Sequence, residues 1–464
     1  MKTKIYFGFF SLTLVLMGLF SLPTFAEDQD RSAIITERHV GWSFREAGLI
    51  PVQSGGRIKP FDSLARETVL FLTGSRSYQG WDPIDFYFSV LSAPDYWEEQ
   101  PLIRIGREDV KKQLLLDVDR QKFSINELLS NPALAQYANL MGSPERQAKA
   151  PNPMGVKSTP REDELKRVVD RISFFRAIIS ADALLVVPRP APEKWLSLGE
   201  TKEQEGVIQK NLGDMIRAYY SGDQELFERA SLRARAAVEG EVAGWSEGVK
   251  NKILTEWYYN KVHPFQIAWI FYLLGALLWV VLIYKQKAPV LKISAIGLTT
   301  VGFLMNTIGF VMRVYISGRP PVSNMYESVV WVAFGILVFA AILYAIHKQA
   351  IIMAVAAALG CFGLIVADVA PAMMDPGIHP LVPVLRSNYW LVIHVLTITL
   401  AYAAFALALG LGNITLYQFI VKGLRGTQDG ERSKKINLLN LITYRALQFG
   451  VVLLAAGTIL GGVW

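Results

Sequence analysis

The stretch FQIAWIFYLLGALLWVVLIY, residues 265–284, contains no charged side chain and decides the fold. An α-helix of about 20 apolar residues crosses the hydrocarbon core of a bilayer. Five further apolar segments of spanning length follow, at residues 291–316, 329–346, 351–369, 389–420 and 447–464. The sequence therefore predicts an all-α fold, a polytopic helical membrane protein whose membrane domain, residues 263–464, has about six transmembrane helices.

Residues 27–262 have a different composition. Over the whole chain 52% of the residues are hydrophobic and the mean hydropathy is +0.29, which is too apolar for one soluble domain. This part nevertheless mixes charged and apolar residues, and residues 162–184 and 203–260 have helical periodicity with one charged face. The pattern predicts a mostly helical soluble domain ahead of the membrane domain.

Residues 1–26 have the pattern of a secretory signal peptide. Lys2 and Lys4 precede an apolar run from Ile5 to Leu22, and the small residue Ala26 follows. The competing interpretation is an uncleaved anchor helix. Either interpretation places residues 27–262 outside the inner membrane, as an exported domain.

The charges of the loops predict the same orientation. If the soluble domain is outside, the inside loops carry Lys285, Lys287 and Lys348, and the region 422–445 is also net basic. Cytoplasmic loops are enriched in lysine and arginine. We therefore expect a multi-pass protein of the bacterial inner membrane, surrounded by the lipid bilayer, with its N-terminal domain in the periplasm. The net charge of +7 then reflects membrane orientation, and no nucleic-acid partner is expected.

Several classes of chemistry find no support in the sequence. Cys361 is the only cysteine, so the chain contains neither an intrachain disulfide nor a Cys-x-x-Cys-His motif for covalent haem attachment. It also has no His-Glu-x-x-His metal motif, glycine-rich phosphate loop or serine nucleophile elbow. Ordinary hydrolase and nucleotide chemistry is unsupported.

Two histidines are candidate ligands. His394 follows Trp390 by one helical turn inside an apolar segment, and an ionisable residue within the membrane is by default a functional hypothesis. The alternative is a neutral imidazole that is hydrogen-bonded to a neighbouring helix. His263 stands at the outer entrance of the first segment, where two histidines could bracket a flat cofactor from its two axial directions. The alternative is an interfacial histidine that only marks the helix start.

The outer loop at residues 318–328 contains the candidate Arg319. An arginine at the mouth of a cofactor site could hold a propionate by a charge-assisted pair. The structural alternative is that Ser323 or Asn324 caps the next helix and Glu327 falls in its first turn.

Three blocks of sequence resemble the cytochrome c assembly protein family, the haem-handling membrane component of the system II cytochrome c synthetase. The blocks are residues 321–328, residues 385–390 with His394 and residues 402–404, and residues 441–445 continuing to residues 461–464. The resemblance covers approximately residues 290–464. Residues 49–67 also resemble the exported extension of some long members.

The resemblance implies that haem b is bound or delivered at the outer face of the membrane for covalent attachment to apocytochrome c. It implies a component of a haem-attaching synthetase, a lyase-type activity that forms thioether bonds. His394 matches the family's external axial ligand of the haem iron, and Tyr389 and Trp390 would line the pocket. His263 is the candidate second ligand, while Arg319 and Trp464 are further candidate cofactor-binding residues.

The sequence given ends at Trp464, just before the position of the family's Trp-rich motif. We expect a membrane domain that is incomplete at its C-terminus, and a companion assembly subunit that carries the Trp-rich segment. The rival hypothesis is a non-catalytic membrane-anchored scaffold that binds apocytochrome or a partner assembly subunit. A small-molecule transporter is a third class, but Asn306 and Asp368 are too few polar intramembrane residues to favour it.

Overall fold

The computed structural model describes residues 36–142, 159–190, 193–201, 206–242, 245–285, 287–320, 322–369, 374–379, 389–425 and 430–463. The predicted signal peptide, residues 1–26, lies outside these residues, and so does Trp464.

The N-terminal part is mostly helical, with three short antiparallel strand pairs among its described residues. Helices α1 to α11 are Arg45–Gly48, Phe61–Thr73, Pro83–Ser92, Pro94–Glu99, Glu108–Gln113, Ile125–Leu129, Pro132–Gly142, Pro160–Ile179, Val207–Tyr220, Gln224–Glu241 and Glu247–Val262. Strands β1 to β6 are Pro51–Ser54, Arg57–Pro60, Ile103–Arg104, Lys122–Phe123, Leu185–Val187 and Leu196–Ser197, and they pair in consecutive twos.

Apolar residues at helical spacing build one hydrophobic core in this part. On α2, Phe61, Leu64 and Leu72 are buried on the same face, and Gly74 ends the helix with a positive φ of 68°. Thr159 and Glu162 form a reciprocal capping box at the start of α8. The core that results extends from Phe44 to Val238 and is separate from the hydrophobic cluster of the membrane helices.

Six helices among the described residues are long and apolar enough to cross a membrane. They are α12 to α17, with bounds Pro264–Tyr284, Pro289–Ser317, Met325–His347, Ala350–Val369, Tyr389–Arg425 and Gly430–Val463. Their number confirms the sequence prediction, and the all-α polytopic fold is confirmed with it. Helix α12 packs against α13 and α15, α14 against α15 and α16, and α16 against α17.

The predicted start of the last span is wrong. The sequence placed the segment at residues 447–464 and assigned residues 422–445 to a loop, but α17 begins at Gly430. Ile436, Leu439, Ile442 and Ala446 are buried at intervals of three or four residues. These buried residues pack on α16, so α16 and α17 form a helical hairpin. The charged residues near the start of α17 had predicted a loop there.

The soluble part and the membrane helices meet at His263. This residue caps the end of α11 and the start of α12 with a left-handed backbone, φ 49° and ψ 59°. Its backbone N–H donates to the carbonyl of Tyr259, and its own carbonyl accepts from Ile267. Histidine adopts this backbone conformation more readily than most residues. The helix that leaves the soluble part therefore continues into the membrane through a single fixed joint.

Candidate functional site

A fully buried ion pair joins the facing ends of α13 and α14. Arg313 and Glu327 are each 1% exposed, and Arg313 Nη2 donates to Glu327 Oε1 at 2.8 Å. The Arg313 guanidinium also lies over the rings of Tyr259 and Tyr326. A buried charge is tolerated only when it is paired and its hydrogen bonds are satisfied. These contacts therefore fix α11, α13 and α14 relative to one another.

The same cluster holds the loop at residues 374–379. Arg313 Nη1 donates to the carbonyl of Pro376 at 2.8 Å. Arg319 Nη2 donates to the carbonyl of His379 at 2.7 Å, and Arg319 Nη1 donates to Glu327 at 3.3 Å. The Asn324 side chain accepts from the Glu327 backbone N–H and caps α14. As the structural alternative for this loop predicts, Asn324 caps α14 and Glu327 lies in its first turn.

Within that loop, His379 and Asp375 form an exposed pair. His379 Nε2 and Asp375 Oδ2 are 2.9 Å apart. This hydrogen bond raises the pKa of His379 and lowers the pKa of Asp375. The pair braces the loop internally while the arginine contacts attach it to the membrane helices.

A cavity of about 150 Å³ lies between the soluble part, the start of α12 and this loop. Its walls include Arg66 and Arg76 from the soluble part, His263 from the joint, and Phe265 and Tyr326 from the membrane helices. Two ion pairs line the cavity. Arg57 binds Glu256 in a bidentate pair at 2.6 and 2.7 Å, and Arg76 pairs with Asp368 at the end of α15. Charged and apolar groups therefore both line the cavity at the junction of the two parts.

His394 lies on α16, where it faces α17. Its Nδ1 is 2.6 Å from the backbone carbonyl of Gly457, and because a carbonyl only accepts, Nδ1 carries the proton. In the neutral imidazole the lone pair is then on Nε2. Metal-ligating histidines commonly donate their other ring N–H to a carbonyl in this way. The alternative interpretation of His394 predicts this bond to a neighbouring helix, and Nε2 has no hydrogen-bond partner among the described residues.

Two glycines of α17 make room for this arrangement. A Cβ atom at Gly461 would lie 2.4 Å from Cε1 of His394, and one at Gly457 would lie 2.5 Å from Cγ1 of Ile398. Both distances are shorter than real Cβ contacts. Glycines spaced four apart let two membrane helices approach closely. The carbonyl of Gly457 reaches His394 because of that approach.

The structure does not gather the predicted site residues into one pocket. The cavity that His263 lines contains no residue of α16, which carries His394. Tyr389 and Trp390 open α16, but their side chains lie outside the described part of the chain, as does Trp464. Arg319 binds Glu327 and the loop carbonyl.

Sequence reasoning missed Arg66, Arg76 and the two glycines. Arg66 lies within residues 49–67, whose resemblance to the exported extension of some long members does not single it out, and no motif marks Arg76. The glycines did carry a signal. Gly457 and Gly461 form a Gly-x-x-x-Gly pattern in an apolar segment, which indicates a helix-packing face.

Residues 322–464 match the family model described as "Cytochrome C assembly protein". Over these residues the chain belongs to that family. The matched residues begin beside the Arg313–Glu327 pair and include His394, Gly457 and Gly461. The family region therefore contains Glu327, the loop at residues 374–379 and the histidine on α16.

Curated relatives of the cytochrome c assembly family extend the likeness. Protein NrfI of Wolinella succinogenes is 26% identical over 98% of this chain and 50% of its own length. Two proteins named cytochrome c biogenesis protein CcsA match smaller parts. The one from Guillardia theta is 29% identical over 40% of this chain and 66% of its own length, and one from Prochlorococcus marinus is 30% identical over 36% and 61%. The chain thus spans about half the length of the first relative and under two thirds of the last.

Replacing Glu327 by glutamine is expected to destabilise the protein strongly. The substitution leaves the buried Arg313 without a countercharge, and breaking a buried pair costs about 3–5 kcal/mol. The melting temperature and the yield of folded protein in detergent measure the effect. The matched control is Arg319→Gln, which removes a more exposed partner of the same carboxylate and is expected to cost less. Equal melting temperatures for wild type and Glu327→Gln would contradict the proposed role of the pair.

Replacing Gly461 by alanine is expected to destabilise the α16–α17 hairpin. The new methyl group overlaps the His394 ring, and overpacking costs about 1–3 kcal/mol. Gly462→Ala is the matched control, since a Cβ atom there meets nothing within 4 Å. The control is expected to leave the melting temperature in detergent unchanged or slightly raised, because alanine favours the helix. If the two variants melt alike, the close approach is wrong.

Replacing Asp375 by asparagine is expected to lower the pKa of His379. The protonated imidazole loses its carboxylate partner, so titration of the His379 ring protons by NMR moves to lower pH. In wild type the pair's contribution to stability is full between the ordinary aspartate pKa of about 3.9 and the ordinary histidine pKa of about 6.5, and it is lost as pH rises through the raised pKa of His379 or falls through the lowered pKa of Asp375. Asp119→Asn, in an exposed loop, is the control and leaves the His379 titration in place. A titration that Asp375→Asn does not move would refute the pair.

Proposed function

We propose that this chain acts in cytochrome c biogenesis, binding haem b as a substrate at the outer face of the membrane for delivery to apocytochrome c. The observation that carries the proposal is the tautomer of His394. Its Nδ1–H donates to the Gly457 carbonyl, so Nε2 is free to bind the haem iron. Family membership and the names of the CcsA relatives support the process in which this histidine would act.

The separate roles of the haem and of the protein side chains follow from that arrangement. In cytochrome c formation, one cysteine thiol of the apocytochrome adds to each of the two vinyl groups of the haem. A carbon–sulfur bond forms, and the thiol proton ends on the neighbouring carbon. The side chains of this protein bind the haem, orient it and limit water access. His394 would hold the iron from one axial side, and Tyr389 and Trp390, one turn earlier on α16, would line the same site.

His263 remains the proposed second axial ligand, on a weaker basis. It lines the cavity of about 150 Å³ at the domain junction. Sites for drug-sized ligands usually occupy about 300–1,000 Å³, so ligation of a macrocycle there requires the junction to open. A haem spectrum that His263→Ala leaves unchanged would remove this residue from the proposal.

The proposed placement has residues 27–262 in the periplasm and the membrane helices in the bacterial inner membrane. Two features support it. Lysines cluster at the ends of α12, α14 and α16 that lie away from the soluble part, as in cytoplasmic loops. The cavity, the buried pair and the joint at His263 lie together at the opposite ends.

A scaffold function is the second candidate, and the loop cluster favours it. Arg313, Arg319 and Glu327 all have partners within the chain, so the polar residues of the outer loops are explained without a ligand. In this case the soluble part would bind apocytochrome or a companion assembly subunit, one that carries a Trp-rich segment. Haem binding by this chain separates the two candidates.

The test is the absorption spectrum of the detergent-purified chain after expression with an adequate haem supply. Wild type is expected to show sharp visible bands in the reduced state, because a histidine-ligated haem is held by Nε2 of His394. His394→Ala removes that ligand, and its bands should be lost or shifted.

His347→Ala is the matched control, since His347 ends α14 on the opposite side from the loop cluster. It should retain the wild-type spectrum. A colourless wild-type protein, or bands that His394→Ala does not alter, would favour the scaffold function.

A further inference from the structure

The junction cavity is bordered by two arginines with unused hydrogen-bond donors. Arg66 directs Nε and Nη2 to Asp62, and its Nη1 has no partner among the described residues. Arg76 directs Nη1 to Asp368 and Nη2 to the carbonyl of Ala367, while its Nε is buried and also without a described partner. A guanidinium has five N–H donors in a planar fork that matches a carboxylate. These two arginines therefore retain capacity for an anionic ligand.

The carboxylates of the cavity wall are already neutralised. Glu256 binds Arg57 and the hydroxyl of Ser63. Glu67 accepts from Lys59 at 2.6 Å, and Asp375 pairs with His379. Behind the wall, the buried Glu327 has two arginine partners, Arg313 and Arg319. The acidic groups thus have cationic partners, which for Asp368 is Arg76, and Arg66 and Arg76 are arginines of the wall that keep unused N–H donors.

The remaining wall is apolar and the space is small. Leu70, Pro264, Phe265 and Tyr326 contribute apolar surface beside the two arginines. A cavity of about 150 Å³ holds a guest the size of benzene. It accommodates a short aliphatic arm that ends in a carboxylate, and it is too small for a porphyrin ring.

We propose that this cavity binds a carboxylate on a short aliphatic arm, through the guanidinium groups of Arg66 and Arg76. The assignment to a haem propionate rests on the proposed function. A free short-chain carboxylate has the same chemistry and is the other source. Arg319, whose terminal nitrogens are already bound to Glu327 and the His379 carbonyl, is not needed for this role.

The cavity and His394 lie at similar depths. Trp331 Nε1 donates to the carbonyl of Leu396 at 3.3 Å, which aligns α14 with α16. Tyr326 precedes Trp331 on α14 and His394 precedes Leu396 on α16, so both lie on the N-terminal side of that contact. At a rise of about 1.5 Å per residue, their depths along the helices differ by about 5 Å. A ligand held at His394 and a carboxylate arm in the cavity would therefore occupy the same layer of the protein.

The first experiment compares propionate with propionamide by isothermal titration calorimetry on the full chain in detergent. The two molecules have similar shapes but only propionate carries a charge. Propionate is expected to bind and propionamide is expected not to bind, because charge-assisted hydrogen bonds hold the ligand. If both bind alike, or neither binds, the carboxylate site is overturned.

Variants assign the site and separate binding from stability. Arg66→Gln and Arg76→Gln are each expected to weaken propionate binding by about tenfold or more, since a hydrogen bond to a charged group is lost. Arg120→Gln breaks an exposed ion pair with Glu127 outside the cavity and should change nothing. Should Arg76→Gln fail to fold, Arg76→Lys keeps the charge opposite Asp368 and removes the fork, so weaker binding is still expected.

Asp368→Asn gives a result of opposite sign. It removes the carboxylate that competes for Arg76, so propionate should bind several-fold more tightly. Asp368→Asn and Arg76→Gln both break the same ion pair across the junction, yet they should change the affinity in opposite directions. If Asp368→Asn and Arg76→Gln weaken binding equally, the arginines act only by holding the junction together, and the proposal is overturned.

Haem and its dimethyl ester distinguish the two sources of the carboxylate. Tighter binding of haem than of the ester, with the difference abolished by Arg66→Gln, supports the propionate assignment. Equal binding of haem and ester overturns that assignment and leaves the proposed function standing. Propionate binding by a chain that binds no haem supports the free carboxylate as the source, and there the proposed function fails while the site stands.

Discussion

The ion pair between Arg313 and Glu327 is the constraint on which the part of the membrane region nearest the N-terminal part depends. Both groups are removed from water, and a charge in that position needs a countercharge and hydrogen-bond partners within the protein that stabilise it. The partners that do so come from α11, α13, α14 and the loop at residues 374–379. The joint at His263 and the junction cavity are built around these same elements, so their geometry follows from the pairing.

Much of the membrane fold could be predicted from the sequence because the bilayer imposes a length and a polarity on each span. The exception is α17, where Lys434, Lys435 and Arg445 conceal a buried stripe of apolar residues. Charge composition indicated a loop, and the tertiary contact with α16 made a helix. Local composition predicts a membrane helix correctly where its side chains face lipid. It misleads where they pack against another helix.

The candidate site was only partly predictable for a related reason. His394 is conspicuous as an ionisable residue in an apolar segment, but its tautomer depends on the carbonyl of Gly457, 63 residues away. In the sequence, Arg319 resembles a ligand-binding arginine. Only the fold shows that its guanidinium donates to Glu327 and to a loop carbonyl. Arg66 and Arg76 become noticeable once the fold brings them beside His263.

Helix α16 has 37 residues, so it is about 55 Å long, whereas the hydrocarbon core of a bilayer is about 30 Å thick. Its close packing with α17 makes the hairpin a stiff rod that is longer than the membrane it crosses. A rod of this length acts as a lever arm, because a tilt of about 5° at one end displaces the other end by about 5 Å. At least one end of α16 therefore projects beyond the hydrocarbon core, and a tilt of the hairpin moves that end through the aqueous phase.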